Sequence, residues 1–122
     1  IGSIEFSATQ HRTRLVIVLG HSQCGAILAT IEELGRPVKD QSRNLRSIGD
    51  RVRPSVEVLM DTEVAKNPEE LIRLAVRNNI RMSVNQLRNG SEILEGLINH
   101  EGLQVVGAEY SLETGVVEFL DY

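Results

Sequence analysis

The clearest pattern in the chain is an unbroken apolar run, Leu15-Val16-Ile17-Val18-Leu19, closed by Gly20. A run without alternation predicts a strand buried on both faces, as in a parallel sheet. A polar loop follows, His21-Ser22-Gln23-Cys24-Gly25. After it, Ala26-Ile27-Leu28-Ala29-Thr30-Ile31 and Leu34 predict a helix stopped by Gly35 and Pro37. Upstream, Gly2 to about His11 reads as a short helix, with Ser3 able to cap and Glu5 in the first turn.

Arg36 to Arg53 is the most polar stretch. Leu45, Ile48 and Val52 nevertheless keep helical spacing, and Pro54 offers a new helical start with Val56, Leu59 and Met60 on its apolar side. Asn67-Pro68-Glu69-Glu70 is a strong helix start: a capping Asn, Pro at the first position, then two acids. Ile72, Val76, Ile80, Val84 and Leu87 mark one face of that helix, and Gly90 ends it. Ser91 caps a further short helix with Ile93, Leu94, Leu97 and Ile98 as apolar positions, ended by Gly102. A strand is predicted from Leu103 to Tyr110, a turn at Glu113-Thr114-Gly115, and a return strand over Val116–Leu120. Strands separated by helices imply an α/β fold: a mostly parallel central sheet flanked by helices, with a C-terminal antiparallel hairpin.

The 122 residues fit a single domain over positions 1–122. The net charge of −4 and the 3% aromatic content give no support to nucleic-acid binding. The basic stretch from Arg36 to Arg53 also carries Asp40 and Asp50 and no aromatic residue, so it reads as a solvated face or subunit contact. No apolar run approaches the ~20 residues of a membrane span. Cys24 is the sole cysteine, which suits a reducing, cytoplasmic setting and frees the thiol for metal binding or catalysis.

Chemistry concentrates at His21-x-x-Cys24. The pair lies at the C-terminal end of the predicted buried strand and at the start of a helix, where ligands bind in open α/β sheets. Imidazole nitrogen and thiolate sulfur are both good zinc ligands, and a helix N-terminus favours negative charge, which suits a thiolate. Gly20 and Gly25 are expected to let the backbone turn tightly there. As a bare pattern, the spacing also fits a packed His and a structural Cys. A closed zinc site needs at least a third protein ligand. His11 reads as a surface His at a helix end, and His100 as a cation near a helix C-terminus. Glu5 and Glu109 are candidates to orient catalytic groups, with no sequence signal to place them.

Leu15 to Ala26 closely resembles the second zinc motif of β-class carbonic anhydrases. Gly2-Ser3-Ile4-Glu5-Phe6-Ser7-Ala8 is similar to the helix before that motif, and Val106 to Val117 to the family's C-terminal hairpin. The resemblance spans nearly the whole chain, with a freer middle from about Gly35 to Asn67. It implies that His21 and Cys24 bind zinc. It further implies that zinc ionises a water that adds to CO2 to give bicarbonate, and that the protein is a homodimer or higher homo-oligomer. The family's earlier motif, a Cys followed by an Asp and an Arg, has no counterpart here. The chain is therefore expected to be N-terminally incomplete and impaired on its own. Three alternatives stand beside the zinc lyase: a non-catalytic fragment or assembly module, a CS2 or COS hydrolase relative, and a thiol enzyme with Cys24 as nucleophile and His21 as base. The thiol enzyme would be active without metal, and its Cys24 would alkylate rapidly.

Overall fold

The apolar run forms strand β1 (Leu15–His21), which pairs in parallel with β2 (Gln104–Tyr110) from Leu15 opposite Gln104 to His21 opposite Tyr110. β2 pairs antiparallel with β3 (Val117–Leu120), giving a three-stranded sheet in the order β1-β2-β3. The computed structural model describes residues 1–121. Five α-helices accompany the sheet among them: α1 (Gly2–Gln10), α2 (Gly25–Leu34), α3 (Arg43–Met60), α4 (Pro68–Asn89) and α5 (Glu92–His100). Single 3-10 turns at Val38–Asp40 and Glu63–Lys66 precede α3 and α4. The expected α/β architecture with its C-terminal hairpin is present. No helix among the described residues is long and apolar enough to cross a membrane.

Helix α4 organises the core. Its start is built as the sequence predicts: Pro68 lies at the first position and the Asn67 side chain accepts from the Glu70 amide at 3.3 Å. Ala75, Val76, Ile80 and Val84 form its buried stripe, packed against both β1 and β2. Val52 and Val56 of α3, Ile27 of α2 and Leu94 of α5 close the same cluster. Ser91 accepts from the buried Leu94 amide at 3.2 Å, as its capping position predicts. Ile93, expected to be apolar contact, faces solvent instead.

Three expectations need correction. First, β1 is not buried on both faces. Its burial alternates, with Leu15, Ile17 and Leu19 at 53%, 43% and 55% exposure while Val16, Val18 and Gly20 are half-buried toward α4. A sheet face is buried only when a layer covers it, and the described helices leave this one open; Phe119 on β3 is exposed on the same face, across the buried Ala108 from Leu19. Second, Pro54 starts no new helix, because α3 runs through it from Arg43 to Met60. The ring removes one hydrogen bond of the helix, but Pro54 lies on the exposed side, where water can satisfy the freed carbonyl. The buried side, Val52, Ser55 and Val56, holds the helix to the core. Third, Ser3 does not cap α1; the cap position is Ile1, without a side-chain hydrogen bond.

Candidate metal-binding site

Parallel pairing of β1 with β2 brings two C-terminal strand ends side by side. The loop after β1 therefore lies against the hairpin after β2. The Ser22 amide donates to the Tyr110 carbonyl at 3.0 Å, extending the ladder one step past the strand. His21 is exposed at the end of β1. Cys24 is half-buried at the cap position of α2, with extended backbone and no side-chain capping bond, so its thiol is not occupied by the helix.

His21 carries the most informative hydrogen bond. Its Nδ1 lies 2.9 Å from the Ser22 carbonyl oxygen. A carbonyl only accepts, so Nδ1 is the donor in this contact and Nε2 is the nitrogen left to ligate. A metal-binding histidine is oriented in this manner, with one ring nitrogen donating to a fixed acceptor and the other free to ligate. The chemistry of the donors thus fits zinc: an imidazole nitrogen in the ligating tautomer and a thiol three residues on. These are two donors of a set. Among the described residues no cluster of three His, Cys, Asp or Glu side chains could hold a metal ion. His11 is exposed at the end of α1 with its ring edge-on to Phe6 at 5.6 Å, and His100 is exposed in the last turn of α5, as expected for surface histidines.

The glycines flanking the loop act differently from the expectation. Gly20 lies within β1, where a Cβ would come within 2.6 Å of Ile80 Cδ1 and Cγ1; it is needed for close approach of strand and helix. Gly25 has a negative φ and open space around it. The tight turn is made at Gln23, whose φ of 53° is left-handed.

A hydrogen-bond network that sequence reading did not find holds this turn. The Glu113 carboxylate accepts from the Ser22 hydroxyl at 2.9 Å, the Gln23 amide at 2.6 Å and the Ser111 hydroxyl at 3.0 Å. The Ser22 hydroxyl in turn accepts from the Leu112 amide at 2.9 Å. The backbone amide of Glu113 itself, the two hydroxyls and the Gln23 amide together hold this carboxyl below the usual carboxylate range. Its only sequence signal was indirect: an acidic residue in the turn after the strand that neighbours the His21 strand. Glu109 is likewise accounted for. It accepts from Arg77 Nε at 2.8 Å, while the same guanidinium reaches Glu118 at 2.7 Å, tying α4 to β2 and β3. A cleft of about 280 Å3 lies beside it, lined by Ser22, Gln23, Ile72, Arg73, Val76 and Glu109.

The carbonic anhydrase family model matches residues 1–117. The carbonic anhydrase of Mycolicibacterium smegmatis is 32% identical over 120 residues, covering 97% of this chain. The β-carbonic anhydrase CcaA superposes with a TM-score of 0.81 at 22% identity over 98% of the chain. This chain belongs to the β-class carbonic anhydrase family. A tetrameric β-carbonic anhydrase of Sordaria macrospora matches equally well in fold, with a TM-score of 0.81 at 18% identity over 99% of the chain. The chain spans about half the length of these relatives: 54% of the M. smegmatis protein, 57% of CcaA and 59% of the S. macrospora chain.

Proposed function

We propose that this chain is part of a zinc-dependent carbonic anhydrase that interconverts CO2 and bicarbonate, with His21 and Cys24 as two of the metal ligands. Within the family now assigned, the observation that carries the reading is the His21 Nδ1 contact to the Ser22 carbonyl, which leaves Nε2 as a ligating lone pair. Zinc held there would supply a Lewis acid able to ionise water near neutral pH. The residues of this chain contribute the surroundings. His21 is oriented by its Nδ1–H bond. Cys24 would ligate through its sulfur from the start of α2. Gln23, turned left-handed, sets the spacing between them. A catalytic zinc takes three protein ligands, so a third donor has to reach this loop from elsewhere in the polypeptide or from a partner subunit. The same reading makes the protein a homo-oligomer. A relative of the same fold is described as tetrameric, and the exposed row Leu15, Ile17, Leu19 and Phe119 is apolar surface of the kind that assembly covers.

The test is zinc content and CO2 hydration of the native polypeptide beside His21→Ala and Cys24→Ser. The expected result is about one zinc per chain, lost with activity in both variants. Hydration activity that persists in metal-free protein would overturn the proposal. Assaying COS and CS2 in parallel separates it from the sulfur-substrate reading.

A further inference from the structure

We propose that Glu113 is a positioning residue for the metal-binding loop, acting through Ser22 and Gln23 rather than by touching either ligand; the inference rests on the zinc reading of His21 and Cys24. The loop between those two residues contains a conformation that needs support. Gln23 has a side chain yet sits at φ 53°, where an L-residue is strained. The Ser22 and Gln23 side chains both bond outside the loop. Support comes from the hairpin. The Gln23 amide donates to one Glu113 oxygen, and the Ser22 hydroxyl donates to the other, which also accepts from Ser111. These bonds join positions 91 and 90 residues apart in sequence. They are charge-assisted, hence stronger than neutral pairs. The Leu112 amide closes a ring by donating back to Ser22 Oγ. Ser22 is pivotal for a second reason: its carbonyl is the acceptor that sets the His21 tautomer. Glu113 therefore holds the residue that orients one ligand and the residue that spaces the other.

The experiment measures zinc affinity of the native polypeptide by competition with a chromophoric chelator. It compares wild type, Glu113→Ala, Glu113→Gln, Ser22→Ala, the Ser22→Ala/Glu113→Ala double variant, and Cys24→Ser as a ligand control. Melting of each metal-free protein is recorded beside it. Glu113→Ala is expected to weaken zinc binding about tenfold, the scale seen when outer groups that orient metal ligands are removed. Glu113→Gln should lose less, because its one oxygen can still accept from Ser22 and Ser111. The double variant should lose less than the sum of the two single changes, since both break the Ser22–Glu113 bond. Metal-free melting of the exposed Glu113 variants should fall only slightly, by less than their loss of zinc affinity corresponds to. Affinity of Glu113→Ala equal to wild type while Cys24→Ser has lost zinc would overturn the positioning role and leave the metal site standing. Fully additive losses, or weaker zinc binding accompanied by an equally lowered metal-free melting temperature, would overturn it as well. Wild type and Cys24→Ser both binding no zinc would defeat the metal reading, and this inference with it.

Discussion

Adding one methyl group at Gly20 tests how tightly the site-bearing strand is seated. A Cβ there would lie 2.6 Å from both Cδ1 and Cγ1 of Ile80. Carbon atoms in contact sit at about 3.5–4.0 Å, so the overlap is on the order of 1 Å at two atoms. Ile80 is 2% exposed, inside the cluster with Val76 and Val84, and has nowhere to swing. Cγ1 is also too close to the backbone to move without the whole side chain. Gly20→Ala should therefore cost about 1–3 kcal/mol, the range for overpacking a filled core. Ile80→Ala alone should cost about 2–5 kcal/mol through its cavity. Together they should cost less than the sum, because the new methyl enters space that the isoleucine vacated, with a coupling of about 0.5–3 kcal/mol. Urea denaturation of the four proteins reads all three quantities. Gly20→Ala within about 0.5 kcal/mol of wild type, the range of an ordinary surface change, would refute the reasoning. So would strict additivity.

Other consequences follow from single features. Ser91→Ala removes the acceptor of the buried Leu94 amide and should cost about 1–2 kcal/mol, whereas Asn67→Gly at the more exposed start of α4 should cost only a few tenths; thermal melts of the two variants compare them. Leu94 is fully buried, so Leu94→Ala should cost about 2–5 kcal/mol in the same melts. The Glu113 ties should depend on pH in a defined direction. Its carboxyl is lowered in the folded chain from an ordinary value of 4.5, so their contribution is complete above about 4.5 and is lost as pH falls through the lower folded value. Protection of the Leu112 amide, its exchange measured by NMR relative to the intrinsic rate at each pH, should fall in that acid window, and Glu113→Gln should remove this change in protection.

Much of this arrangement was legible from local chemistry. The run from Leu15 to Leu19 with His21 and Cys24 behind it marked a strand, a ligand loop and a helix. Asn67-Pro68, Ser91 and Gly115, the last at φ 75°, each marked a boundary through their own backbone preferences. What was not legible depends on residues far apart in sequence. An apolar strand reads the same whether one or both faces are covered, so the exposure of Leu15, Ile17 and Leu19 could not be read from the run itself. Pro54 reads as a boundary because its cost is local, while the burial of Val52 and Val56 that outweighs it is tertiary. Gln23 carries none of the composition of a left-handed residue, and its partner Glu113 comes close only because β1 and β2 run parallel. The resemblance to β-class carbonic anhydrases marked the site more sharply than spacing could, since His-x-x-Cys alone also fits two packed side chains.

The central claim is that His21 and Cys24 ligate one zinc ion, and X-ray absorption at the zinc edge of the native protein tests it most directly. Joint ligation requires at least one sulfur neighbour at about 2.3 Å and one imidazole nitrogen at about 2.0–2.1 Å, with Cys24→Ser removing one sulfur from the shell. A shell of nitrogen and oxygen alone, unchanged by Cys24→Ser, would contradict it.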